Sequence, residues 1–298
     1  MMARIDAEQV RDRVQALPML PAAAHELMAA FRDDDIGFDD LARKIDIDPA
    51  ITARILRVAN SSFYGMSGSI STVGDAIRLI GLRTVETIVM QESLAQRLHG
   101  PGCPTFDFPK YWEHSLATAI AAQELARESG HAMHEAFTAG LIHDLGSLAL
   151  ASHFPQEYGA VVRDARDRDL PRLEAERAAL GIDHCQVGAW IAAHWHFTEA
   201  VIDAIAWHHN PGHLSGEDED SDAVAGTSSR RPGRASLADL VHNADGIAHA
   251  LDLHAAGDDL VPPMQRASWD RLQWSTEAPL RLFHRVETAF REIRHGLR

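Results

Sequence analysis

The chain has very little cysteine. Its 298 residues include only Cys103 and Cys185, and neither sits in a C-x-x-C pattern. This excludes a disulfide framework and a cysteine-rich zinc ribbon, and it fits thiols kept reduced in a cytoplasm. No apolar run is long enough to span a bilayer. The opening M-M-A-R-I-D is charged at once, so no secretory leader is expected. Positive charge is also scarce, with 28 Lys and Arg against 43 Asp and Glu and a net charge of −15. That balance argues against a general nucleic-acid binder or a protein of anionic membrane surfaces. Alternating strand patterns are scarce and no internal repeat is found. An all-α protein is expected, large enough for one big domain or two lobes.

Histidine, by contrast, is abundant, with 18 residues, about twice what ordinary composition gives. The periodic segments all have helical spacing. Asp48-Pro49, Ser71 or Thr72, Asp183, Thr198 and Ser236 stand where helix starts are expected, each offering a side-chain oxygen to the first turn. Pro101 to Pro109 is a connector, and it divides an N-terminal helical lobe, 1–100, from a second lobe, 101–298. Residues 214–235 are acidic and then rich in Gly, Ser, Arg and Pro, so a mobile surface loop is expected before C-terminal helices over 236–298.

The stretch F-T-A-G-L-I-H-D-L-G-S, residues 137–147, is predicted to be one helix. Ala136, Gly140, His143, Asp144 and Ser147 share a face of it. The small residues would let another helix pack close and would confine the imidazole and carboxylate. A buried pair of this kind needs compensation, which a metal ion can supply; the alternative is that the pair caps a helix end. Other helices carry comparable groups on or beside apolar faces. His114 stands with Ala117, Thr118 and Ala121. His184 precedes Val187, Gly188 and Ile191. His208 and His209 follow Val201 and Ile205, and Asp245 lies between Val241 and Ala248. Imidazole and carboxylate donors suit Fe, Mn or Zn. Two such ions about 4 Å apart can lower the pKa of a shared water and orient it toward phosphorus. His131, His134, His153, His194, His196, His213, His249 and His254 are expected to be surface or capping residues. The Arg/Glu-rich helix R-L-E-A-E-R-A-A-L is expected to be solvated on one side. Cys185 is expected to be a small buried residue, although its place beside His184 would also suit a ligand or a redox-sensitive thiol.

The order His114, His143-Asp144, Asp245 resembles the HD superfamily of metal-dependent phosphohydrolases. His184 and the His208-His209 pair look like the extra ligands of its HD-GYP members. Longer stretches resemble the HDOD domain: I-D-I-D-P-A-I-T-A-R-I-L-R-V-A-N-S-S-F-Y-G, S-T-V-G-D-A-I-R-L-I-G-L-R-T-V, G-L-I-H-D-L-G, E-A-E-R-A-A-L-G-I-D-H-C-Q-V-G-A-W-I and W-H-H-N-P, within about residues 11–212. The resemblance implies a bilobed helical bundle with an HD-type core. It implies one metal on His114, His143, Asp144 and Asp245, with Asp144 bridging to a second on His184, His208 and His209. It also implies a regulatory module of bacterial signalling, whose partner would be a signalling protein or a small phosphorylated ligand. If the chain is an enzyme, the resemblance implies a phosphohydrolase acting through His143 and Asp144. HD-GYP phosphodiesterases carry a lysine where this chain has Ser147, and nothing like G-Y-P follows His209, so a cyclic-dinucleotide phosphodiesterase is disfavoured.

Overall fold

A computed structural model of the chain describes residues 5–30, 37–61, 64, 70–98, 102–215, 234–253, 261–273 and 278–297. The expected loop over 214–235, apart from its two ends, and His254 lie outside the described residues. Every regular element among those described is helical. In chain order the helices are α1 (Ala7–Gln15), α2 (Ala22–Ala30), α3 (Phe38–Ile45), α4 (Pro49–Ala59), α5 (Val73–Ile80) and α6 (Leu82–Arg97). Then come α7 (Phe108–Ser129), α8 (Met133–Ile142), α9 (Leu145–His153), α10 (Pro155–Arg168) and α11 (Arg172–Leu180). The rest are α12 (His184–His194), α13 (Glu199–Trp207), α14 (Leu237–Ala250), α15 (Arg266–Arg271) and α16 (Ala278–Leu297). Among the described residues no helix is long and apolar enough to cross a membrane.

The helix starts follow local chemistry. Asp48 accepts from the amides of Ala50 and Ile51, Thr72 from Asp75, Asp183 from Gln186 and Thr198 from Val201. Ser236 and Asp239 form a reciprocal capping box that opens α14. Caps of this kind contribute about 1 kcal/mol each.

Two compact units result. One holds residues 17–100 and 287–298, the other residues 1–16 and 101–286. Each is therefore discontinuous in sequence, and a single boundary at residue 101 does not describe them. In the first unit Ile51, Ile55 and Val58 of α4 and Val73, Ile77 and Ile80 of α5 are buried. Full burial of each such side chain contributes roughly 1.5–3 kcal/mol.

The second unit is organised on α7, which is buried continuously from His114 to Ala126. Its alanines allow α8 and α14 to lie close. At Gly140 a Cβ would stand only 2.8 Å from Ala119 Cα and 2.9 Å from Thr118 O, so α8 touches the backbone of α7. On the other side, α9 meets α12 through Gly146 and Gly188. The predicted single helix over 137–147 is interrupted: α8 ends at Ile142 and α9 begins at Leu145. The Asp144 backbone leaves the helical region, and its carbonyl accepts from the Ser147 amide at 2.9 Å. In an unbroken helix the consecutive side chains of His143 and Asp144 would diverge by about 100°. The turn between α8 and α9 relaxes that constraint.

Candidate metal centre

All seven residues singled out in the sequence lie in the second unit, and the structure brings them together. His114 comes from the second turn of α7 and Asp245 from the middle of α14. His143 and Asp144 occupy the turn between α8 and α9. His184 is the first residue of α12, and His208 and His209 directly follow α13. Their common point is Asp144 Oδ1. It lies 3.8 Å from His143 Nε2, 3.3 Å from His184 Nε2 and 3.7 Å from His208 Nε2. On one side of it, His114 Nε2 is 3.2 Å from both His143 Nε2 and Asp245 Oδ1. On the other, His209 Nε2 is 3.1 Å from His184 Nε2.

The orientation of the rings tests whether a cation fits. His143 Nδ1 lies 2.8 Å from the Gly140 carbonyl, and His208 Nδ1 lies 2.8 Å from that of Ile205. A carbonyl can only accept, so each Nδ1 carries the proton and donates it. His184 Nδ1 donates to the Glu176 carboxylate at 2.6 Å. With Nδ1 committed in this way, each of the three rings turns its Nε2 toward the Asp144 carboxylate oxygen. Acceptors that face one another at such distances need a proton or a cation between them. Three such imidazoles, His114, His209 and two carboxylates form a donor set that suits Fe, Mn or Zn.

The surroundings favour the charge states that bind metal. Burial alone would raise the Asp144 carboxyl, but His143, His184, His208 and His114 outweigh it and hold it far below the ordinary carboxylate range. Burial would likewise raise Asp245, and hydrogen bonds from His114 and His249 hold it well below that range. Burial pushes His143 and His209 below the ordinary imidazole range. His184 differs. Burial opposes its charge, yet Cys185, Glu176 and Asp144 outweigh burial and hold it well above the ordinary value. Anionic surroundings that keep a proton on His184 would equally favour a metal cation at its Nε2.

Glu176 was not anticipated. It lies in the helix expected to be solvated on one side, but it is fully buried. Its carboxylate accepts from the His184 amide at 2.8 Å, from His184 Nδ1, and from the Tyr158 hydroxyl at 2.9 Å. The available signal was its i, i+4 spacing to the apolar Leu180. His249, expected at the surface, is also part of the centre. Its Nε2 is 3.4 Å from Asp245 Oδ1, one helical turn away, and its ring lies 4.7 Å from that of His114. His242 fixes the chain at the second cluster. Its Nδ1 donates to the His208 carbonyl at 2.7 Å, and its Nε2 accepts from the Gln265 amide at 2.9 Å. Cys185 is buried as expected, with Sγ against the His208 ring.

Comparison with known proteins agrees with this architecture. The family model of the HDOD domain matches residues 17–211. An uncharacterized protein of Treponema pallidum (strain Nichols) is 26% identical over 214 residues, covering 71% of this chain and 41% of that protein. The chain thus spans about two fifths of the curated relative it matches. Among solved structures, an HDOD domain protein of unknown function from Geobacter sulfurreducens superposes with a TM-score of 0.69 at 21% identity, covering 98% of each chain. A structure from Shewanella amazonensis SB2B, described as a candidate phosphohydrolase, gives 0.66 at 24% identity over 97% of this chain and 98% of that one. One from Marinobacter aquaeolei VT8, described as a candidate signal transduction protein, gives 0.72 at 23% identity over all of this chain and 61% of that one. At these identities the structural likeness establishes the fold, and the family match establishes more: this chain belongs to the HDOD domain family.

Proposed function

We propose that this protein is a regulatory HDOD module of bacterial signal transduction. In this reading it holds a pair of divalent transition-metal ions and takes a small phosphorylated ligand or a signalling partner in the cytoplasm. The observation that carries the reading is the position of Asp144 Oδ1, within 3.8 Å of the Nε2 atoms of His143, His184 and His208. One ion would rest on His114, His143, Asp144 and Asp245, the other on Asp144, His184, His208 and His209. When bound, such ions supply Lewis acidity and attract phosphate oxygens. The protein's own groups orient and shield. Gly140, Ile205 and Glu176 fix the ring directions, and the buried α7 and α14 exclude bulk water. Asp144, His249 and His114 retain side-chain exposures of 15%, 12% and 10%, so a ligand would approach past these three.

One observation favours a second reading, a metal-dependent phosphohydrolase: a carboxylate placed between two clusters could hold two ions close enough to clamp a phosphoryl group. A cyclic-dinucleotide phosphodiesterase is less well supported, because Ser147 is fully buried and supplies no cation to a substrate phosphate.

Metal analysis of protein purified under reducing, chelator-free conditions tests both readings, with His143→Ala and Asp144→Ala as controls. The regulatory reading expects about two bound ions per chain. It also expects Asp144-dependent binding of phosphorylated ligands, and no turnover on a phosphomonoester and phosphodiester panel with added Mn or Fe. Turnover that vanishes in both variants would establish the hydrolase. A wild type that binds no transition metal would end both.

A further inference from the structure

We infer that Cys185 is a thiolate ligand of the second metal position, which makes that position selective for a soft ion such as Zn(II) over Mn(II). The inference rests on the two-metal reading above and goes beyond its imidazole and carboxylate ligands. Cys185 follows His184 in the first turn of α12 and is buried. Its Sγ lies 3.9 Å from His208 Nδ1 and 4.0 Å from His208 Nε2. Ligand atoms of His184, Cys185, His208 and His209 all fall within 4.8 Å of one another. A tetrahedral zinc site, with Zn–S of about 2.3 Å and Zn–N of about 2.0–2.1 Å, places sulfur and nitrogen roughly 3.6 Å apart. The Sγ–Nε2 separation of 4.0 Å exceeds that by about 0.4 Å, and Sγ lies beside the ring, as near to Nδ1 as to Nε2, so the thiolate reaches the ion by turning about its Cα–Cβ bond toward the Nε2 edge. The other edges, His184 to His209 at 3.1 Å and Asp144 to His184 at 3.3 Å, are of the same size.

Sulfur has no such company at the other cysteine. Cys103 Sγ lies 3.3 Å from Thr105 Oγ1, near Gly159, and belongs to no such cluster of donors among the described residues. The two metal positions also differ in hardness. The first draws on Asp144 and Asp245, two carboxylates, and suits Mn or Fe. The second has a four-donor set of three imidazoles and the thiolate, with Asp144 beside it, and suits Zn. Loading the second position transfers the thiol proton, and the proton held on His184 Nε2, to solvent as the sulfur–metal and nitrogen–metal bonds form.

Cobalt(II) substitution reads this directly. The metal-free full chain is titrated with Co(II), and a thiolate-to-cobalt charge-transfer band is followed in the near ultraviolet. The band is expected in the wild type, saturating at one ion per chain. It is expected to vanish in Cys185→Ser and in Cys185→Ala while cobalt still binds. In parallel, Zn(II) affinity should fall on the order of tenfold in Cys185→Ser, with Mn(II) affinity much less affected. Cobalt bound by the wild type without the band, or a band that survives both substitutions, overturns the thiolate assignment and leaves the imidazole–carboxylate centre standing. A wild type that takes up no cobalt overturns the thiolate assignment and the two-metal reading together. The wild-type spectrum decides the question even if a variant fails to fold.

Discussion

Replacing Glu176 with glutamine should weaken the second metal position without unfolding the protein. Glu176 is completely buried and accepts three hydrogen bonds, from the Tyr158 hydroxyl at 2.9 Å, the His184 amide at 2.8 Å and His184 Nδ1 at 2.6 Å. An alanine there would strand three buried donors at about 1–3 kcal/mol each and leave a cavity. That sum approaches the whole stability of a typical domain, so Glu176→Ala is expected to misfold and is uninformative about metal. Glutamine keeps the shape. Its carbonyl can accept from both His184 donors, and the Tyr158 hydroxyl can turn to accept from its amide. What is lost is the charge, which costs about 1–2 kcal/mol because hydrogen bonds to charged groups are stronger than neutral ones. His184 then donates to a weaker acceptor, its Nε2 becomes less basic, and metal affinity should fall about 10–100-fold, or about 1.4–2.7 kcal/mol. Competition titration against a fluorescent chelator resolves this, with the thermal midpoint of the metal-free protein as a control. The loss should be confined to one of the two ions, because His184 serves only one cluster. Unchanged affinity for both ions would refute the assignment of Glu176 as the residue that positions His184.

Three further outcomes follow from the same geometry. Gly146→Ala gains about 1 kcal/mol in helix propensity, but its Cβ would meet the His184 carbonyl at 2.0 Å and the Gly188 amide nitrogen at 2.8 Å. Those neighbours are backbone and cannot rotate away, so α12 must shift. A net loss of about 1–3 kcal/mol and a drop from two metals toward one are expected; two metals with an unchanged melting temperature would contradict it. The stability of the metal-free protein should fall as pH drops below 6.5, the ordinary value from which burial lowers His143, His209 and His242. A depressed native pKa means that the unfolded chain takes up the proton first, so acid favours unfolding; Asp144 and Asp245 add the same slope below 3.8. His184, whose native pKa is raised, contributes stability that is complete below pH 6.5 and lost as pH rises through its native pKa. Urea midpoints measured with chelator at pH 7 and pH 5 check the acid side, and no decrease would refute it. Finally, chelation of the loaded wild type should lower its melting temperature by about 10 °C, taking ions at about a thousand times their Kd. The same treatment should have little effect on Asp144→Ala.

What could be read in the sequence was local or periodic. Asp48, Asp183, Thr198 and Ser236 mark helix starts because a cap acts within three residues, and each is found capping, as is Thr72 of the pair Ser71 and Thr72. Gly140 stood out on a face of small residues that implied a close helix partner, and it lies against the α7 backbone. The seven metal candidates were polar groups beside apolar stripes, a pattern that survives folding because each helix keeps its own face. What escaped depended on contacts between distant segments. The break at His143-Asp144 fits a chain in which Gly146 must meet the His184 backbone, and no helix propensity records that contact. Glu176 was hidden among four charged residues of one short helix. Its burial depends on Tyr158 and His184, which lie 18 and 8 residues away. His249 stands four residues after Asp245, a spacing that could have suggested it. In a chain so rich in histidine, that spacing alone did not separate it from the others.

The two metal positions differ in how the chain supports them. The first draws His114 and Asp245 from the interiors of α7 and α14, where intrahelical hydrogen bonds on both sides fix the backbone. The second draws on ends: His184 opens α12, and His208 and His209 follow the last turn of α13. Helix ends have fewer backbone bonds and open more readily than helix interiors. The structure compensates with fixed partners, Glu176 for His184 and His242 for the His208 carbonyl. Asp144 touches both clusters from a turn of its own. A metal in the second position would therefore tie the end of α13 to the start of α12 and both to the α8–α9 turn, and its binding energy would become stability of those segments. Hydrogen exchange should accordingly slow most at residues 183–187 and 206–210 when metal is added, and least in the middle of α7. Uniform slowing across α7, α12 and α13 would argue that the second position is as rigid as the first before any ion binds.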